Sequence, residues 1–265
     1  MPFSPSDIAG LQLWVKADQI AGNDGDSVST WSDQSGSSRH LTEVTAGQDP
    51  ILKKAANGIN SQNVVRFDGS NDVLAFLSTS IIQNLGATTM ALVFRAANTT
   101  QDGTTPFLIS TASAGSTRAA FFFGLSADGK LNVGGRRLDA DTSQFLQGGN
   151  KSTSPTFALA YFDWTNSDLT LYENGTQTGQ TLSFQTSGNT ENTASAEICV
   201  GAANSVAAAA AFNGDVAEII VYNSILSTAD RNSLGGYIQT KYALTIAGAV
   251  GDASPVQRLR RVYYV

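Results

Sequence analysis

Residues able to break a bond are few in this chain, and badly spaced for the task. A retaining glycosidase needs two carboxylates about 5–5.5 Å apart, and alternate residues of a strand share a face. Asp139 and Asp141 alternate, but in a polar stretch that reads as an exposed loop. Asp215 and Glu218, in Asp215-Val216-Ala217-Glu218, stand three apart, which sends them to opposite faces of a regular strand. A single histidine, His40, rules out a multi-His zinc site and leaves one residue alone to serve any His-dependent triad, which is therefore not expected. The single cysteine, Cys199, has no basic neighbour in Glu197-Ile198-Cys199-Val200-Gly201 and reads as a small buried hydrophobe. No catalytic residues are expected.

Groups suited to binding are better represented. Hard cations want clustered oxygens, and Asp68-Gly69-Ser70-Asn71-Asp72 supplies them, with Asp215 as a third carboxylate. The same acids equally suit a turn in which they accept from nearby backbone amides. Among the aromatics, Trp14 and Trp31 alternate with polar residues and belong to a core. Phe122 must face away from Phe121 and Phe123 if all three lie on one strand. Trp164, in Asp163-Trp164-Thr165-Asn166 at a strand end, is the residue best placed for a sugar-stacking platform; packing under the turn is its competing role. Arg258, Arg260 and Arg261 alternate with Leu259 and precede Tyr263 and Tyr264. That pattern suits an extra edge strand, docked on its own sheet or on a partner in an assembly.

The elements that must carry these residues are strands. Short apolar or alternating runs, separated by Gly, Asn, Asp and Ser, recur from Leu11–Val15 through Val64–Phe67, Thr89–Ala96, Ala119–Leu125, Phe157–Phe162 and Leu169–Glu173 to Val216–Tyr222. Gln180–Phe184 and Glu197–Gly201 read as strands too. Asn174-Gly175 and Asp128-Gly129 have the dipeptides of tight hairpins. About a dozen such strands imply two packed antiparallel sheets. One helix stands against this pattern: Ser227-Thr228-Ala229-Asp230 is a capping-box variant, followed by Leu234, Tyr237, Ile238 and Lys241 at helical spacing. A shorter turn starts at Ser4 or Ser6.

Composition agrees. Only 14% of the 265 residues are charged, well under the roughly 25% of an ordinary domain, so Ser, Thr, Asn, Gln and Gly must form the polar surface. A net charge of −6 argues against nucleic-acid binding, and no apolar run approaches the about 18 residues of a membrane span. Met1–Asp7 has no basic segment leading into an apolar one, so no secretory leader is expected.

Two stretches are specific enough to point to a family. One is Leu13-Trp14-Val15-Lys16-Ala17-Asp18 with Trp31-Ser32-Asp33-Gln34-Ser35-Gly36 and Val64-Val65-Arg66-Phe67-Asp68-Gly69. The other is Phe212-Asn213-Gly214-Asp215-Val216-Ala217-Glu218-Ile219-Ile220-Val221-Tyr222, ending in the helix. Together they resemble the concanavalin A-like lectin/glucanase superfamily, in its laminin-G-like branch of bacterial and phage surface proteins. The resemblance covers about residues 8–244. It implies an all-β, two-sheet antiparallel jelly-roll sandwich over 1–244 with one short C-terminal helix; residues 245–265, outside the resemblance, read as a linker and docking tail. It also implies a structural calcium at the sandwich rim, near Asp68, Asp72 and Asp215. The Glu-x-Asp-x-x-Glu pattern of the superfamily's glycosidases is absent. The expected role is therefore a non-enzymatic structural or adhesion protein of a surface assembly, a phage virion component above all. Its partners would be other virion proteins, further copies of itself and a cell-surface glycan. The alternative is a carbohydrate-binding module of a larger secreted bacterial protein.

Overall fold

The computed structural model describes residues 2–78, 81–97, 106–111, 120–151, 153–191, 197–205 and 210–250. The strands of the first half are β1 (Leu11–Lys16), β2 (Thr30–Trp31), β3 (Leu41–Thr42), β4 (Ile51–Lys53), β5 (Val64–Asp68), β6 (Leu74–Phe76), β7 (Ala87–Ala96) and β8 (Phe107–Ser110). Then follow β9 (Ala120–Leu125), β10 (Lys130–Arg136), β11 (Gln144–Lys151), β12 (Thr156–Asp163), β13 (Asp168–Glu173), β14 (Thr176–Thr181), β15 (Ile198–Val200) and β16 (Asn213–Tyr222), and the helix α1 (Thr228–Tyr242). They form two antiparallel sheets. The first has the order β14-β13-β12-β7-β16-β5-β4, with β1 paired to the second half of β16; the other runs β11-β10-β9-β8-β15-β6-β3-β2.

The apolar runs are longer than simple alternation requires because the first sheet is buried on both faces. Along β12, Ala158, Ala160 and Phe162 point between the sheets, while Phe157, Leu159 and Tyr161 point into a second cluster. That second cluster lies under α1, where Leu234, Ile238 and Tyr242 close it. The helix begins as its capping residues require: the Ser227 hydroxyl accepts from the Asp230 amide at 3.1 Å and donates to Asp230 Oδ2 at 2.7 Å. A 3-10 turn over Pro5–Asp7 is capped by Ser4 in a complete capping box.

Hairpin chemistry holds at one site and differs at the other. Asn174 and Gly175 have φ of 47° and 79°, the left-handed pair that a two-residue turn between β13 and β14 needs. At Asp128-Gly129 only Gly129 is left-handed. The Gly129 amide donates to Ser126 O and the Ser126 amide to Lys130 O, so the loop has three residues with a bulged end.

Five strands depart from expectation, of which β2, β3 and β4, two or three residues each, are too short to carry a pattern. β11 went unread because Gln144, Gly148 and Gly149 carry little strand signal. β14 starts directly after the tight turn at Thr176, not at Gln180. The expected linker from residue 245 also belongs to the fold as far as Val250. Ile246 is buried, the Ala247 amide donates to Asn174 O, and the Val250 amide donates to Asn232 O.

Candidate functional site

The two sheets differ in what covers their outer faces. That of the first sheet lies largely beneath α1. On the other sheet, the Ser110 hydroxyl donates to Ala203 O, and Val73, Ala75, Cys199 and Ala202 make a small closed cluster over β6 and β15. No such cover lies over β9, β10 and β11 among the described residues. Phe121, Phe123, Leu131 and Val133 point inward, so Phe122, Asn132 and Gly134 point out, as the alternation at Phe121–Phe123 required. Leu146 leans inward, which leaves Phe145 and Gln147 outward.

Register gathers these residues into two adjoining rows. Phe107, Gly124, Asn132 and Gln147 make one; Ser110, Phe122, Gly134 and Phe145 make the other. Phe107 and Phe122 meet edge to face at 5.2 Å, and Phe145 is 63% exposed. A Cβ on Gly134 would lie 2.8 Å from the Phe145 Cβ, so only glycine lets that ring lie across the strand. Asn132 is nearly buried, and its Oδ1 has no partner among the described residues. Buried amide oxygens are normally satisfied. That oxygen lies behind the aromatic row; the outward rings are the groups on this face that could stack on a sugar.

A second concentration of polar groups sits on the outer face of the first sheet. Asp215 accepts from Arg66 Nε at 2.7 Å and Nη2 at 3.1 Å. It also accepts from Arg95 Nε at 3.1 Å and from Arg95 Nη2. The expectation that Asp215 and Glu218 face opposite ways is overturned by a β-bulge. Opposite β7, Val216 pairs with Phe94 and Glu218 with Val93, so one extra residue is inserted and the parity changes. Val216, Ile219 and Val221 point inward, leaving both acids on the outer face.

Facing the same way does not make them a catalytic pair. Glu218 is fully buried beneath α1 and accepts from Trp14 Nε1 (2.5 Å), Tyr237 Oη (2.9 Å), Lys241 Nζ (2.8 Å) and Tyr242 Oη (2.7 Å). Burial, then the Glu218 charge, pushes both phenols well above the usual tyrosine range, so they remain donors. Four donors on one carboxylate pin the helix to the sheet. They leave no lone pair for a substrate.

The residues singled out from the sequence fare differently. Trp164 is 1% exposed, stacked on Phe162 at 5.6 Å and packed on Phe184 at 5.2 Å. It shares parity with the inward Phe162, so it packs under the turn and offers no platform. Asp68 and Asp72 are together in one turn. Asp68 Oδ1 accepts from the Ser70 and Asn71 amides, and Asp72 Oδ2 from the Asp68 amide. Asp215 is committed to its two arginines. No three acidic, histidine or cysteine groups converge on a cation position among the described residues, so these three acids do not fit a calcium ligand set. Arg258, Arg260, Arg261, Tyr263 and Tyr264 lie outside the described residues. Cys199 is buried, and burial, then the Glu197 charge, pushes its thiol up, as an inert hydrophobe requires. The site residues missed were Arg66, Arg95, Asn132 and Phe145; only the outward parity of Phe122 hinted at the exposed face.

A family model described as the concanavalin A-like lectin/glucanases superfamily matches residues 68–230. No match was found among curated protein sequences. Among solved structures, the binding domain of Paraclostridial Mosquitocidal Protein 1 is similar with a TM-score of 0.63 and 15% identity, over 88% of this chain and 53% of that one. Domain 4 of AbnA, an extracellular arabinanase from Geobacillus stearothermophilus, in complex with arabinotriose, gives 0.56 and 15%, over 85% and 98%. A botulinum neurotoxin type C structure, whose cell entry depends on two ganglioside molecules, gives 0.60 and 11%, over 88% and 52%. The chain thus spans about half the length of the toxin chains it resembles.

Proposed function

This chain belongs to the concanavalin A-like lectin/glucanases superfamily, and from that premise we propose that it is a non-enzymatic glycan-binding domain displayed on a surface assembly. The observation that carries the reading is the pair of outward rings Phe122 and Phe145, brought into one row across β9, β10 and β11, with Phe145 63% exposed. Ligands named for similar folds, arabinotriose and gangliosides, support a carbohydrate as its occupant. The engagement of Asp215 and Glu218 by six donor groups supports binding without hydrolysis. Each contact is weak, and copy number on an assembly would add them.

The finer reading is a phage virion component, a decoration, fibre or tail-associated subunit, docked through Arg258, Arg260, Arg261, Tyr263 and Tyr264. Its docking part rests on the alternating pattern of that tail, and its virion part on the resemblance to surface proteins of bacteria and phage. The second reading, a carbohydrate-binding module of a secreted bacterial protein, is favoured by the match over 98% of domain 4 of an extracellular arabinanase.

The test is calorimetric titration with a panel of neutral oligosaccharides, arabinotriose included. At least one is expected to bind. Phe145→Ala, at an exposed position, should weaken that ligand about tenfold, equal to about 1.4 kcal/mol, without changing the melting temperature. No binding across the panel, or equal binding by the variant, would contradict the site.

A further inference from the structure

Three charged side chains line up across the middle of the first sheet. Asp215 on β16 sits opposite Arg66 on β5 at one side and Arg95 on β7 at the other. One nearly buried carboxylate therefore holds two guanidiniums, and the trio carries one excess positive charge in a chain of net charge −6. In both arginines Nε and Nη2 donate to Asp215, Arg66 Nη2 also donates to Asn57 O at 3.2 Å, and neither Nη1 has a partner among the described residues. The two side chains are 38% and 31% exposed and border a cleft of about 340 Å³, whose wall also includes Ala96, Thr153 and Asn213.

A structural ion pair needs one arginine. The second adds a charge that Asp215 does not cancel, Asp24 being the other acid that acts on Arg66, and a desolvation cost that the pairing itself does not require. The guanidinium N–H groups not used by Asp215 remain charged donors to an anion, and one buried acid holds both side chains in place before any ligand arrives. The rest of the wall is Thr153, Asn213, Ala97, Gly214 and the core residue Ala96, with no large apolar side chain among the described residues. Its volume is at the small end for ligand pockets.

We infer that this cleft binds the carboxylate of an acidic sugar, of uronic or sialic acid type, through the Nη1 groups of Arg66 and Arg95. The inference rests on the glycan-binding reading and adds to it a second, charge-selective subsite on the opposite sheet.

The test titrates the full chain at low salt with methyl glucuronide, its neutral methyl ester and inorganic phosphate. The acid should bind at least tenfold more tightly than the ester, and more tightly than phosphate. Arg95→Gln should weaken the acid at least fivefold. Because that change also leaves Asp215 short of a partner, Thr153→Trp is the second variant: it fills the cleft while keeping every member of the trio, and should abolish binding at an unchanged melting temperature. Equal affinity for acid and ester, tighter binding of phosphate, or wild-type affinity in Thr153→Trp overturns the inference. If a neutral oligosaccharide still binds in a Phe145-dependent way while the acid does not, this subsite alone is wrong. Loss of both also removes the glycan reading.

Discussion

Two aspartates in the family-like motifs meet burial with different numbers of donors. Burial pushes the Asp33 carboxyl up, but the amides of Trp14, Arg39 and Ser35 outweigh it and hold the acid below its ordinary value. Its contribution is present above pH 3.8 and is lost on acidification. Asp72 has only the Asp68 amide; burial, followed by the charges of Asp68 and Asp49, pushes it up to about 6. The native state therefore holds this proton more tightly than the unfolded chain does. The resulting stability is complete below pH 3.8 and disappears as pH rises through about 6. Asp72→Asn keeps an oxygen for the Asp68 amide and removes the charge. The variant should be more stable than wild type at pH 8 and indistinguishable at pH 4, as read by urea midpoints at the two values.

Among the elements, turns and bulges decide where side chains point. Gly175 is left-handed at φ 79°, and a Cβ there would lie 2.1 Å from Ala247 O. Gly175→Ala should thus cost more than about 1 kcal/mol, lowering the melting temperature and loosening residues 245–250 to hydrogen exchange. An unchanged melt would mean that the segment after α1 is not anchored at this hairpin. The turn itself was legible in Asn174-Gly175 because the left-handed requirement is local. The bulge at Val216 was not. Nothing in Asp215-Val216-Ala217-Glu218 encodes an inserted residue, since it arises from pairing with β7. Trp164 was misplaced for a similar reason: its inward parity follows from β12 continuing its alternation one residue past Asp163.

For the whole molecule, the contrast lies between a sheet covered on both faces and one left partly open. Residues through Val250 complete the cover over α1, so removing residues 252–265 should leave a cooperatively folded sandwich. Assembly or particle incorporation should fall in that truncation; incorporation at wild-type level would rule out the tail as a dock. The sequence by itself determined an all-β chain, its capped helix, its tight hairpin and the scarcity of catalytic groups, because periodicity, capping and composition act between near neighbours. Only the tertiary structure decided that Arg66 and Arg95 share Asp215, that Glu218 pins the helix, and that Phe122, Asn132 and Phe145 share one open face. Those meetings depend on strand register and sheet order, which join residues up to 204 positions apart and leave no local trace.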